Sequence, residues 1–241
     1  MSLNYTQIIR QLEKELGFEK DAIALNAQRK QDFTEDINLA IDDVTAEILP
    51  ASGTWKYDDP NHTKYPIIQT NLVSGQRDYT FTTDEQGYLI LDIYKVLIAD
   101  PDGVFKQIEP VDAEETDSAN TGFFDGKNTT GTPDKYDKMA NGLFLDPIPN
   151  YSVTNGIKVY YDRESTHFTT SDTTKMPGFD GLYHEYCVLA PAYRYARTNN
   201  LASVERLKRD MEEMKLAIKK RYAYRSRDEW KGMRPLKEDN H

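Results

Sequence analysis

The sequence predicts an α+β protein, in which helices from both ends of the chain form a bundle with an inserted antiparallel β domain. Apolar residues recur every three or four positions near both chain ends and every second position between them. Strand and helix patterns do not alternate, which disfavours a parallel-sheet enzyme fold. The predicted segments are N-terminal helices in residues 1–54, a β domain in 55–172, C-terminal helices in 173–225 and an extended tail in 226–241.

Two helices are predicted in the first segment. The apolar stripe of the first helix is Tyr5, Ile8, Ile9, Leu12 and Leu16, and that of the second is Ile37, Ile41, Val44 and Ile48. Gly17 is a natural end for the first helix. Asp32 and Glu35 have the spacing of a capping box at the start of the second helix, and Pro50 marks its end.

The middle of the chain has the period of β-strands. Residues 67–72, 88–99 and 157–162 are rich in β-branched and aromatic side chains, and tight turns separate several of the strands. In the stretch 142–165, Pro147 and Pro149 interrupt two strands, because proline cannot donate to a sheet ladder and ends pairing. Residues 111–133 are predicted to begin with a short helical turn and to continue as a long polar loop, of a kind that is usually functional or mobile.

Two more helices are predicted before the tail. Asp180 is a plausible cap for a helix whose stripe is Leu182, Tyr186, Leu189, Tyr193 and Ala196, with Pro191 inside it. The last helix, from about Leu201 to Tyr224, has the stripe Leu201, Val204, Leu207, Met211, Met214, Ile218 and Tyr222. A Glu205–Arg209 pair is expected on its surface.

Charge is unevenly distributed along the 241 residues. The net charge is −10, yet residues 194–237 hold 14 Lys/Arg against 6 Asp/Glu, so the rest of the chain carries −18. An acidic body with a basic C-terminal segment favours electrostatic contact between subunits or with a partner. A solvated basic helix face is the simpler alternative. No apolar run reaches the roughly 20 residues of a membrane span, and one cysteine, Cys187, allows no intrachain disulfide.

Enzymatic motifs are missing, so neither catalysis nor a cofactor is expected. There is no phosphate-binding glycine loop and no nucleophile elbow. His184 lacks the second histidine of a zinc helix and is expected at the surface or as a cap, whereas Cys187 is expected to be a buried thiol. Asp58, Asp59 and His62 form the one set worth testing as a metal-dependent hydrolase.

Several segments in order resemble the head-to-tail adaptor, or connector, proteins of tailed bacteriophages. These are LVSGQRDYTF (72–81), YLILDIYKVLIADPDGVFKQIEPVD (88–112), GTPDKYDKMANGLFLDPIPNYSVTNGIKVYYDRES (131–165) and MPGFDGLYHEYCVLAPAYRYAR (176–197). Each motif is weak alone, and their order and spacing carry the resemblance over roughly residues 65–225.

The resemblance implies a structural virion protein of the neck, made in the host cytoplasm. It implies a ring of about twelve subunits that docks beneath the portal, contacts a downstream tail or neck protein, and lets DNA pass without sequence-specific binding or membrane contact. The basic segment is the expected interface with the portal or a neighbouring subunit; its candidate residues are Arg206, Arg209, Lys220, Arg221, Arg225, Arg227, Trp230 and Met233.

Two alternatives to a connector ring stay open at this point. Relatives of such adaptors serve as tail-tube components. Tyrosines in or near the β region suit a virion carbohydrate- or receptor-binding module, because an aromatic face can stack on a sugar; they are Tyr57, Tyr65, Tyr88, Tyr151 and Tyr160.

Overall fold

The computed structural model describes residues 2–51, 56–111, 129–139 and 142–223. Two compact units share the chain: Met1–Tyr57 with His167–His241, and Asp58–Thr166. The described helices lie in the first unit and the described strands in the second, which confirms the α+β class. Residues 112–128, the centre of the predicted long loop, lie outside the described part.

The helices of the first unit share one hydrophobic core. They are α1 (Tyr5–Glu15), α2 (Ala27–Ala51), α3 (Tyr186–Thr198) and α4 (Val204–Ala223). Buried side chains of all four helices meet in this core, including Leu12, which is fully buried. No helix in the described residues is both long enough and apolar enough to span a membrane.

The first helix starts with a side-chain cap, and it ends just before Gly17, as the sequence predicts. The Asn4 side chain accepts a hydrogen bond from the Gln7 backbone N–H at 2.9 Å, and the Gln7 side chain accepts one from the Asn4 backbone N–H. This reciprocal capping box satisfies two N–H groups that the helix itself leaves unpaired. After Leu16, Gly17 turns the chain away with a φ of 69°, a conformation that costs glycine little.

The second helix starts earlier than predicted. It begins at Ala27, where the Asn26 side chain accepts a hydrogen bond from the Arg29 backbone N–H at 3.0 Å. The capping box predicted at Asp32 and Glu35 is therefore wrong. Both residues lie inside the helix on its exposed side.

The third helix starts later than predicted. Asp180 caps a short 3₁₀ turn (Gly181–Tyr183) through the Leu182 N–H, and α3 follows from Tyr186. The assignment of Leu182 to the apolar stripe is wrong, because that side chain is 67% exposed. Pro191 lies inside α3, as predicted.

The apolar stripe of α4 packs as predicted, since its members are buried in the core or lie against it. The surface pair expected between Glu205 and Arg209 is not found. The Arg209 guanidinium instead contacts its neighbour Asp210 at 3.1 Å.

The described part of the second unit contains ten strands: β1 Ile67–Leu72, β2 Asp78–Thr80, β3 Ile90–Ala99, β4 Phe105–Gln107, β5 Glu109–Pro110, β6 Thr130–Gly131, β7 Lys135–Met139, β8 Gly142–Asp146, β9 Ile148–Pro149 and β10 Val153–Arg163. The strand orders are β1-β10-β3-β4, β2-β8-β7-β5 and β6-β9. Most pairs are antiparallel, but β5–β7 and β6–β9 are parallel. The prediction of a purely antiparallel domain is wrong for these two short pairs.

The two prolines of the 142–165 stretch have different roles. β8 ends just before Pro147, as predicted for a residue that ends pairing. Pro149 instead lies within β9, where Ile148 donates its N–H to the Thr129 carbonyl and Pro149 lies opposite Gly131. After this bend, β10 pairs with both β1 and β3.

A buried ion cluster holds one end of the β unit together. The Arg163 side chain is 1% exposed and contacts Asp84 and Asp58, each at 2.9 Å. Backbone N–H groups of Gln86 and Tyr88 also donate to the Asp84 carboxylate. Burial acts to raise the pKa of Asp84, but Arg163 and these N–H groups outweigh it and hold the pKa below its usual value.

Replacing Arg163 by methionine is expected to destabilise the β unit by about 3–5 kcal/mol, because it leaves the buried Asp84 carboxylate without its cation. Lys64→Met is the matched control, since Lys64 pairs with Glu85 at a site where both side chains are more than half exposed; the expected cost is about 1 kcal/mol or less. Amide hydrogen exchange of β3 and β10 measures both. Equal costs would contradict the assigned role of Arg163.

The β unit is also expected to lose stability in acid through Asp84. The pKa of Asp84 is lower in the folded state, so its contribution is complete above the unfolded value of about 4 and is lost as the pH falls through the folded value. Asp84→Asn should remove this part of the pH dependence, and Glu85→Gln, at an exposed neighbour, should keep it. Hydrogen exchange of β10 at several pH values tests this; an unchanged acid slope in Asp84→Asn would contradict it.

Candidate functional site

The predicted interface residues fall into two groups. Arg206, Arg209, Lys220 and Arg221 lie on α4 and are all exposed. The other four, Arg225, Arg227, Trp230 and Met233, lie outside the described residues. The structure therefore shows the surroundings of the four helical residues alone.

Arg206 is held within its own subunit. Its guanidinium binds the Glu15 carboxylate at the end of α1 and lies 3.6 Å from Asp210, one turn along α4. The hydrogen bond that Arg206 donates to Glu15, together with the negative charge of that carboxylate, raises the pKa of Arg206 above its usual value. Such a pair ties α4 to α1, so Arg206 is less available to a partner than the sequence suggests.

The same holds for three cations further along α4. Lys215 and Lys219 contact the Glu47 carboxylate of α2 at 3.3 and 3.5 Å, and Arg221 contacts Asp180 at 3.5 Å. Burial acts to raise the pKa of Glu47, but the two lysines together lower it below its usual value. Much of the basic stripe therefore neutralises acidic residues of its own subunit.

The cations of α4 that make no ion pair with another helix among the described residues lie on the side of α4 that faces away from the core. Lys208 and Lys220 make no ion pair with any described residue, and Arg209 contacts only Asp210. Leu216, 52% exposed, lies on the same side. Glu212 and Glu213 are also exposed there, so this face carries mixed charge.

An acidic surface on α2 was missed by the sequence reasoning. Asp32, Glu35, Leu39 and Asp42 are all exposed, and their spacing of three or four residues places them on one side of the helix. That spacing was readable in the sequence. It was overlooked because Asp32 and Glu35 were assigned to a helix cap.

The possible metal-binding set does not form a cation site. The Asp58 carboxylate binds Arg163, the Asp59 carboxylate accepts from the Asn61 backbone N–H at 2.7 Å, and Nε2 of His62 lies 3.0 Å from a backbone carbonyl. Among the described residues, no group of three or more His, Cys, Asp or Glu side chains could hold a metal ion. These carboxylates instead bind Arg163 and a backbone N–H of their own loop.

His184 is buried, so its predicted place at the surface is wrong, whereas it does cap an element, as the C-cap residue of the 3₁₀ turn Gly181–Tyr183. Its side chain lies in the first unit with Nδ1 3.0 Å from the Leu3 backbone N and Nε2 2.9 Å from the Phe179 carbonyl oxygen. The histidine thus fastens the N-terminal segment to the start of the C-terminal helices. Cys187 is fully buried, as predicted, and burial raises the pKa of its thiol, which makes it a poor nucleophile.

The tyrosines proposed for sugar stacking are mostly engaged elsewhere. Tyr57 is buried and donates its hydroxyl to the Gly178 carbonyl, and Tyr151 donates to the Ala99 carbonyl at 3.0 Å. Tyr88 lies against His62, and Lys95 lies over the Tyr160 ring. Tyr65, at 84% exposure, is the one of the five that is freely presented, so no tyrosine platform forms.

Comparison with known proteins places the chain in a family. The family model described as SU10 adaptor protein matches residues 3–236, which is nearly the whole chain. No curated protein matches significantly. The family match agrees with the motif order from residue 72 to residue 197. The chain belongs to the SU10 adaptor protein family, which confirms its resemblance to phage head-to-tail adaptors.

Proposed function

We propose that this protein is the subunit of a ring, of twelve copies in the virion, that docks beneath the portal, extends the DNA channel and connects capsid to tail. The observation that carries this proposal is the family match over residues 3–236. In the ring subunit, residues 1–54 and 173–225 form a helical bundle, residues 55–172 form the inserted domain, and residues 226–241 form a tail that reaches a partner.

The charge distribution supports a ring of this kind. A ring closes through heterologous contacts, in which two different surfaces of each subunit meet, so those surfaces must complement each other. The chain supplies an acidic body and a basic C-terminal segment. Its net charge of −10 also suits a channel wall that DNA passes without sequence-specific binding, because strong phosphate binding needs a basic surface.

The role is structural: it requires no catalytic group and no cofactor. In the proposal, the subunit is made in the host cytoplasm and functions at the virion neck. Its partners are the portal above the ring and a tail or neck protein below it. The segment from Arg206 to the C-terminus docks on the portal or on an adjacent subunit.

Electron microscopy of the protein mixed with the portal of its own phage tests the proposal. We expect a ring attached below the portal. The alternative of a tail-tube component predicts rings stacked away from the portal, and a receptor-binding module predicts no ring on the portal at all. Either of these outcomes would overturn the proposal.

Deletion of residues 226–241 is expected to abolish ring formation or portal binding, while the helices keep their fold, because the described core ends at Tyr222. Trp230→Ala with Met233→Ala in the full-length chain is the milder variant. Loss of an aromatic anchor costs about 2 kcal/mol or more, which is roughly a thirtyfold loss of affinity. Circular dichroism checks folding and sedimentation measures assembly; unchanged assembly of the truncated chain would contradict the role of the tail.

A further inference from the structure

The outward side of α2 is an acidic surface with an apolar centre. Asp32, Glu35 and Asp42 surround Leu39, whose side chain is 52% exposed. The opposite side of the helix is buried in the core through residues such as Ile37 and Ile41. The helix therefore has a second face, here called the α2 outer face and defined by Asp32, Glu35, Leu39 and Asp42, that is not needed for folding.

The carboxylates of this face have no Lys or Arg partner among the described residues. Asp32 and Glu35 each accept a hydrogen bond from a glutamine one turn earlier, at 2.8 and 2.7 Å, and Asp42 contacts His167 at 2.7 Å. By contrast, Asp36 and Asp43, which lie on the flank of the same helix, are both bound by one arginine of α3. The charge on the α2 outer face is thus left for a partner.

A cleft of about 310 Å³ adjoins this face at the start of α2. The Phe33 and Tyr195 rings form part of its wall, and Asp32 and Asp36 supply carboxylates. Arg29, the cation in the wall, lies over the Phe18 ring at 5.1 Å. A cleft that combines two aromatic rings with polar and charged side chains can receive a tryptophan anchor, whose ring is apolar and whose N–H is a hydrogen-bond donor.

The C-terminal tail has the composition that this face requires. Residues 225–237 hold five Lys/Arg against two Asp/Glu, a net charge of +3. The same segment contains Trp230, Met233 and Leu236. A basic segment with one tryptophan can pair with the carboxylates while its indole fills the cleft.

The direction of α4 favours a tail from another copy over a tail from the same chain. Early in α4, Arg206 binds Glu15, close in sequence to Phe18, whose ring lies against Phe33 near the start of α2. Further along, Lys219 reaches Glu47 near the end of α2. α4 therefore runs in the same direction as α2, and the chain leaves it at the end remote from Asp32. A tail would have to reverse its course to reach its own α2 outer face.

We infer that the α2 outer face and its adjoining cleft are the docking site for residues 225–237 of a neighbouring copy, with Trp230 in the cleft. The inference rests on the proposed ring and names the two surfaces that meet within it. It is a heterologous contact, since a helix face of one copy receives the tail of the next, and such contacts generate rings when the rotation closes.

Crosslinking between two differently tagged full-length chains tests this contact. One chain carries Leu39→Cys and the other Met233→Cys, and a short bismaleimide joins the two thiols. The native Cys187 is fully buried and does not compete. The mixture is treated at high protein concentration, alone and with the portal. We expect a two-chain adduct that carries both tags.

Leu216→Cys is the matched control for Leu39→Cys, because Leu216 is also 52% exposed on the outward side of a helix in the same unit. The inference predicts at least about tenfold less adduct with Met233→Cys from this position, a factor that corresponds to about 1.4 kcal/mol. Equal yields from both positions, or no adduct under either condition, would overturn the inference.

Charge reversal supplies a second, independent measurement. Asp32→Lys with Glu35→Lys in the Leu39→Cys chain should lower the adduct yield about tenfold, and Arg225→Glu with Arg227→Glu in the tail donor should restore it. Glu212→Lys with Glu213→Lys on α4 makes the same change of charge at exposed sites and should leave the yield unchanged. A tenfold loss in this control, or no loss in the α2 variant, would overturn the inference.

Microscopy of the same samples separates this contact from the proposed function. Rings on the portal without a Leu39–Met233 adduct would support the proposed ring and overturn the proposed contact. An adduct without rings on the portal would support the contact and contradict the ring. The two failures are therefore distinguishable in one experiment.

Discussion

The first unit depends on the burial of four apolar helix stripes in a single core. The helices α1, α2 and α4 are charged on one side and apolar on the other, and α3 is buried all round in its first half, so none of the four can bury its apolar residues alone. Residues from both ends of the chain consequently meet: Tyr5 and Ile8 of α1 share a core with Leu207 and Ile218 of α4. His184 reinforces the same join through its contact with Leu3. In this arrangement the charged sides of the helices face away from the core.

The packing of the helices decides which surface charges form ion pairs within the subunit and which remain available to a partner. Glu15 and Glu47 lie beside α4 and neutralise cations that the sequence suggested for a partner. The α2 outer face has no Lys or Arg neighbour among the described residues: His167 contacts Asp42, and Asp32 and Glu35 accept hydrogen bonds from glutamines. For a member of an adaptor family, whose work is contact with other proteins, this selection among surface charges matters more than the total charge.

Periodicity predicted the secondary structure well, whereas single polar residues were misleading. The stripes of α1 and α4 and the inward set Ile157, Val159 and Tyr161 follow from spacing alone, because burial of one face imposes a period of 3.6 or 2. Asp32 was misassigned because aspartate is compatible with both a cap and an exposed helix turn. His184 was misassigned because a histidine with two backbone partners is stable in a core, and those partners are distant in sequence or hidden in a turn.

The sequence by itself determined the α+β class, most element positions and the family, because these depend on local patterns and on motif order. Only the tertiary structure decided that Arg163 and Asp84 form a buried pair, that Arg206 and Lys219 are bound within the subunit, and that the carboxylates around Leu39 lack a Lys or Arg partner among the described residues. The physical reason is that an ion pair depends on distance in space. Residues 15 and 206 become neighbours only when their helices share a core.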